Sequence, residues 1–194
     1  MPDSEAAAAF YFDLASPEAY IASERILQAL PGPCEWQPIL ASELPHAESF
    51  DAYRCAEEKS IARSELERRA AGRGLQPLLW PDPFPFDSRL AMLAATYAKQ
   101  IGRAVAFAQA AFRQAFAGGH ALSEPDFVLI AAAACEMHPT AVLRAIETRA
   151  VADALDTATR VARERGVSDV PAVAIGERVF VGDAQLEAAA AARP

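Results

Sequence analysis

The sequence predicts an α/β fold, and three observations carry that expectation. The chain opens on a strand–loop–helix unit between Phe10 and Tyr20, its middle is helical by periodicity, and it closes on a short hairpin around Gly176-Glu177. Apolar periods of 3.6 flanked by short β-rich runs are the pattern of a sheet covered by helices.

The opening unit is the most informative stretch. Phe10, Tyr11 and Phe12 form an apolar run that Asp13 ends, which reads as a buried strand. Ser16-Pro17 then opens a helix, because serine suits the N-cap and proline is pre-set for the first helical position. Tyr20, Ile21, Ile26, Leu27 and Leu30 continue at helical spacing until Pro31-Gly32-Pro33 stops it. The first turn of a helix carries unpaired N–H groups and partial positive charge, so it stabilises an anion or a thiolate. The group at that mouth is the Ser16 hydroxyl, a poor nucleophile without a base but a good donor to another molecule's thiolate. Taken alone, Ser16 equally reads as a plain helix cap. The segment 34–39 follows as the second strand.

The middle of the chain is read as helix after helix. Residues 52–71 carry many charges, with Ala62, Leu66 and Ala70 in one row and Glu65 one turn from Arg69, which reads as a solvated face laced with ion pairs. Lys59 lies on the same segment. Gly72, Gly74 and four prolines from Pro77 to Pro85 form a rigid loop whose Trp80, Phe84 and Phe86 either pack on the helices or line a cleft. From Arg89 to Phe116 apolar residues keep steps of three and four, as one long helix or two broken at Gly102, with Gly118-Gly119 as the stop. Ser123-Glu124-Pro125-Asp126 restarts a helix with a cap, a proline and an early acid, and Pro139 separates it from the next. A last long helix, 149–165, delivers the chain to Gly166. Residues 172–175 and 179–181 make the hairpin, with Pro171 at the first residue of its strand, where proline is tolerated.

Composition narrows the function classes. A chain of 194 residues suffices for one good core or a core with an insertion. Its formal charge of −8 speaks against nucleic-acid partners and acidic membranes, which need basic stripes. The acidic start, Met1 to Glu5, has no basic n-region, and no apolar run reaches membrane-spanning length, so a cytoplasmic location is expected. Three cysteines, Cys34, Cys55 and Cys135, lie far apart and form no Cys-x-x-Cys, which predicts reduced thiols; Cys34 and Cys135 read as small buried hydrophobes. His46, His120 and His138 show no metal-ligand spacing, so no metal is expected.

The two ends together resemble the DsbA superfamily, and more narrowly the branch of kappa-class glutathione transferases and 2-hydroxychromene-2-carboxylate isomerases. The opening F-x-x-S-P-Y-x-Y of that branch is similar to Phe12, Ser16, Pro17 and Tyr20, with one residue more between Phe12 and Ser16, and the closing G-V-x-x-V-P is met by Gly166, Val167, Val170 and Pro171. Gly182 and Asp183, adjacent here, fall in its G-x-D region, and Trp80-Pro81-Asp82-Pro83-Phe84-Pro85 is similar to its W-P-x-x-F-P turn. The resemblance spans nearly the whole chain in order. It implies a thioredoxin-like fold with a helical insertion domain (DsbA-like): residues 1–50 and 161–194 forming the thioredoxin-like domain, residues 51–160 the insertion that caps the face where Ser16 and Pro171 meet. It also implies a cis Val170–Pro171 bond.

What the resemblance implies about function is a glutathione-dependent isomerase or transferase acting on a small aromatic electrophile. Ser16 would be the catalytic residue, donating to the glutathione sulfur. Val170, Pro171, Gly182 and Asp183 would bind glutathione, the Val170 backbone pairing with its peptide and Asp183 with its γ-glutamyl ammonium. Asp183 also makes an ordinary cap for residues 184–192. The expected partners are a small-molecule substrate and, as an assembly, a homodimer. Two rivals remain: a thiol–disulfide oxidoreductase by descent, which Ser16 and Ala19 oppose by standing where a Cys-x-x-Cys pair would, and a non-catalytic thioredoxin-like binding module. One departure stands out. The family has an aromatic residue after Ser-Pro, and this chain has Glu18, whose charge would raise a nearby thiol's pKa. Either Glu18 faces solvent, or the bound species is not a thiolate.

Overall fold

The structure is a computed structural model that describes residues 8–30, 32–46 and 55–192. A four-stranded mixed sheet, order β2-β1-β3-β4, stands at its centre: β1 Ala8–Phe12, β2 Cys34–Pro38, β3 Ala172–Ile175 and β4 Arg178–Val181. β1 pairs β2 in parallel, Phe10 opposite Trp36, and pairs β3 antiparallel, Phe10 opposite Val173. The hairpin of β3 and β4 turns at Gly176-Glu177, as the sequence predicts.

All five residues of β1 are buried, because helices cover both faces of the sheet. One face carries Phe10, Phe12 and Trp36, with Phe10 edge-on to Trp36 at 4.9 Å and Phe12 against Phe112 at 5.9 Å. The other carries Ala9, Tyr11, Ile39 and Val167. Nine α-helices are seen among the described residues: α1 Pro17–Ser23, α2 Ile26–Ala29, α3 Ala56–Gly72, α4 Arg89–Gln100, α5 Ala104–Phe116, α6 Pro125–Ala133, α7 Pro139–Ile146, α8 Arg149–Glu164 and α9 Leu186–Ala191. The helices α3 to α7 lie between β2 and α8 in the chain, so the thioredoxin-like fold carries the expected helical insertion. The boundary expected between residues 50 and 51 lies outside the described residues, and the one between 160 and 161 falls within α8.

Two elements differ from the sequence reading. The first helix does not run to Leu30 but breaks after Ser23. There the Ser23 hydroxyl donates back to the Tyr20 carbonyl at 2.7 Å and the Arg25 N–H tightens onto the Ala22 carbonyl at 3.0 Å. Opposite pulls hold the break: Glu24 takes Arg113 of α5 through both oxygens, at 2.6 and 2.8 Å, and Arg25 pairs with Glu187 of α9. The stop expected at Pro31 lies outside the described residues, as do residues 52–54 of the helix expected from 52. The second difference concerns α6, whose N-cap is Glu124, one residue past Ser123, and no side chain caps it. The 89–116 stretch takes the second of its two expected forms, two helices, α4 and α5, parted at Gly102 with φ +73°.

Candidate functional site

β1 ends at Phe12, and the next five residues build the site. The Asp13 carbonyl accepts the Ser16 N–H at 3.0 Å, closing a tight loop before α1. The Asp13 side chain then ties three segments together. Its Oδ1 accepts the Ala15 N–H at 2.9 Å, and its Oδ2 accepts both the Ala41 N–H at 2.9 Å and the Ser88 hydroxyl at 3.0 Å. Ser88 is the N-cap of α4, yet its hydroxyl serves Asp13 rather than its own helix. Asp13 is buried, which pushes its carboxyl above the usual range; the Ala15, Ala41 and Ser88 hydrogen bonds oppose that, and nearby Asp87 adds to it.

Ser16 is the N-cap of α1, and its Oγ accepts the Ala19 N–H at 3.1 Å. The hydroxyl proton is not taken by any described residue, so capping leaves Ser16 free to donate. Ser16 and Val170 line one cavity of about 420 Å³. The Val170–Pro171 bond is cis, and so are Asp82–Pro83 and Phe84–Pro85 in the proline loop. Phe84 and Phe86 form part of the cavity wall with Leu66 of α3. Trp80 stands behind, 5.1 Å from Phe84, so the loop both packs on the insertion and lines the cleft.

The other expected binding residues lie beside this cavity rather than on its wall. Pro171 is buried, and its carbonyl accepts the Gly182 N–H at 2.7 Å, which brings the end of β4 against the proline loop. Gly182 holds φ +93°, a backbone position that L side chains rarely adopt. Asp183 follows, 1% exposed, and does not cap the helix after it. Its Oδ1 instead accepts from Arg69 Nη1 at 2.6 Å, while Oδ2 has no hydrogen-bond partner and lies 3.9 Å from Arg73 Nη2.

Arg69 was read from the sequence as a partner of Glu65 on a solvated face, and that reading is corrected. Its guanidinium turns inward from α3 and bridges Asp183 and, at 2.7 Å, Glu18. A buried carboxylate without counter-charge is costly, and Arg69, with Arg73 farther off, supplies it. Glu18 is therefore ion-paired and half-buried rather than solvent-facing. Asp169 completes the site. Its Oδ1 accepts the N–H of Val170 at 2.7 Å, leaving the Val170 carbonyl without a partner among the described residues. Burial pushes the Asp169 carboxyl up, opposed by that Val170 hydrogen bond; Glu18 adds to the rise and His46 opposes it.

Sequence reading missed Asp13, Arg69, Asp169 and Ser88. Asp13 had a signal, as the one acid closing an apolar strand. Arg69 had none beyond its place in the row of Leu66, because its partners lie 51 and 114 residues away in the chain. Lys59 is exposed on α3 and is not among the cavity-lining residues. The cysteines are free thiols: Cys135 buried with its thiol pushed up by burial, Cys34 half-buried, and Cys55 exposed as the N-cap of α3. No group of His, Cys, Asp and Glu suited to a metal ion occurs among the described residues, and no helix among them is long and apolar enough to cross a membrane.

Comparison with known proteins bears on the fold. The family model of the DSBA-like thioredoxin domain matches residues 8–192. Among solved structures, a 2-hydroxychromene-2-carboxylate isomerase is 20% identical over 92% of this chain and 90% of its own, with a TM-score of 0.79. A probable DsbA oxidoreductase from Streptomyces coelicolor is 19% identical over 95% and 87%, TM-score 0.77. The cytosolic disulfide reductase DsbM from Pseudomonas aeruginosa, solved with GSH, is 15% identical over 93% and 92%, TM-score 0.65. A comparison with curated proteins finds no match.

Proposed function

Since the chain belongs to the DSBA-like thioredoxin domain family, we propose that it is a glutathione-dependent isomerase or transferase acting on a small aromatic electrophile. One observation carries this reading: in the cavity beside the Val170–Pro171 loop stands a Ser16 hydroxyl that caps its helix as an acceptor and still has a proton to give.

The residues present fit glutathione. The Val170 carbonyl is open to a peptide N–H, whereas Asp183, buried off the cavity wall with its Oδ1 on Arg69 and its Oδ2 3.9 Å from Arg73, takes an ammonium only if that ion pairing opens. DsbM, on the same fold, was solved with GSH. Bound glutathione supplies a nucleophilic thiol. Ser16 donates a hydrogen bond toward the thiolate form and so favours it. Arg69 neutralises Glu18, removing the repulsion that an unpaired carboxylate in the first turn of α1 would exert. Phe84 and Phe86 exclude water and hold a flat ring against the cavity wall. The expected cytoplasmic location and homodimer belong to the same proposal.

Thiol–disulfide exchange is disfavoured because Ser16 and Ala19 occupy the helix start and no cysteine is among the residues lining the cavity. The test is glutathione-dependent consumption of an activated aromatic halide by the parent and by Ser16→Ala. Turnover in the parent, cut at least about tenfold in the variant, supports the reading. Equal turnover in both defeats the role of Ser16, and turnover that needs a cysteine instead favours the oxidoreductase.

A further inference from the structure

The residues that line the cavity are of two chemical kinds. Leu66, Phe84 and Phe86 make one of them apolar and aromatic. Carboxylates make the other: Glu18, Glu65, Asp87 and Asp169, with buried Asp13 among them. A single cation, Arg69, is found among the described lining residues, and Glu18 and Asp183 already hold it. A further cation, Arg63, has its guanidinium over the faces of Trp80 at 4.8 Å and the lining residue Phe84 at 5.7 Å and is not itself among the lining residues.

From this distribution we infer that the cavity takes an uncharged or cationic aromatic molecule and rejects an aromatic carboxylate. The rejection is electrostatic. An anion entering a half-enclosed site lined with carboxylates meets like charge at short range and finds no unpaired cation among the described lining residues to replace its lost hydration. Two carboxyls within the lining also feel that field: burial is the main cause that raises Asp13 and Asp169, and Asp87 and Glu18 respectively add to it against the hydrogen bonds that oppose it. The isomerase of similar fold is named for a carboxylate substrate; the lining described here is built for a different charge class.

The inference rests on the reading of the cavity as the electrophile's site, and its test needs no glutathione, so failure of one is separable from failure of the other. The probes are 3,5-dinitrobenzamide and 3,5-dinitrobenzoate, which share shape and ring electronics but differ in charge. Their binding to the full chain is followed by equilibrium dialysis at low and high salt. The expected result is saturable binding of the benzamide, at least about tenfold tighter than the benzoate at low salt. That ratio should shrink as salt shortens the screening length from about 30 Å to about 3 Å, and should shrink likewise in Glu65→Gln and Asp87→Asn, both exposed positions where folding is not at stake. Equal or tighter binding of the benzoate overturns the inference, and loss of that binding in Arg63→Gln would name the cation responsible. Saturable binding of neither probe overturns it as well.

Discussion

Single residues divide the labour of the site between holding the loop and holding charge. Ser16 does both jobs with different atoms, its oxygen accepting from Ala19 while its proton stays available. Ser16→Ala removes both and should cost about 1 kcal/mol in unfolding by denaturant, whereas Ser16→Gly should cost only a few tenths. Asp13 is the residue whose ionisation the fold resists. Its folded pKa is raised above 3.8, so between that value and the folded one the native state binds more protons than the unfolded chain. Stability contributed by the protonated group is thus fully present below the unfolded pKa and is lost as pH rises through the folded pKa. The stability of the parent relative to Asp13→Asn, measured by chemical unfolding across that window, should therefore fall with rising pH. Arg69 holds Glu18 and Asp183 together. If it shields the sulfur site, Arg69→Gln should raise the pKa of a bound thiol by about one unit, and Arg69→Gln combined with Glu18→Gln should bring it back. An unchanged thiol pKa in the single variant would show that Glu18 does not sense that position.

Among elements, α3 and the turn after β4 place the site, and they were legible to different degrees. The strand, the cap and the Pro171 hairpin could be read from β1 to β4 because they depend on neighbours in sequence: Asp13 ends a run, Pro17 fits the first turn, and Gly176-Glu177 joins two short strands. The inward turn of Arg69 could not, since a charged row on a helix looks the same whether it faces water or a buried acid 114 residues on. The break in the first helix was hidden for a similar reason, being held by Arg113 and Glu187 from remote helices. The cavity face of α3 rests on Leu66, 4% exposed. Leu66→Ala should cost about 2–5 kcal/mol and widen the cavity. At the turn, Gly182 has φ +93° and ψ 152°, with nothing within 4 Å of where a Cβ would stand. Gly182→Ala should accordingly cost about 1–3 kcal/mol through backbone strain rather than crowding, with thermal unfolding as the readout.

At the scale of the molecule, the chain has the DSBA-like thioredoxin domain while its helix start carries a hydroxyl and its thiols lie elsewhere. Replacing Cys34, Cys55 and Cys135 together by serine or alanine should leave glutathione-dependent turnover within a few-fold of the parent, with Cys135 the position most sensitive for stability because it is buried. The proposal as a whole comes down to whether this scaffold binds glutathione as a thiolate beside Ser16. The pKa of the bound thiol, read from thiolate absorbance during a pH titration of the complex, answers that. A value below the ordinary thiol pKa of about 8.5 in the parent, moved upward in Ser16→Ala, is the predicted result. No thiolate band and no binding at millimolar glutathione, or a pKa that Ser16→Ala leaves unmoved, would contradict it.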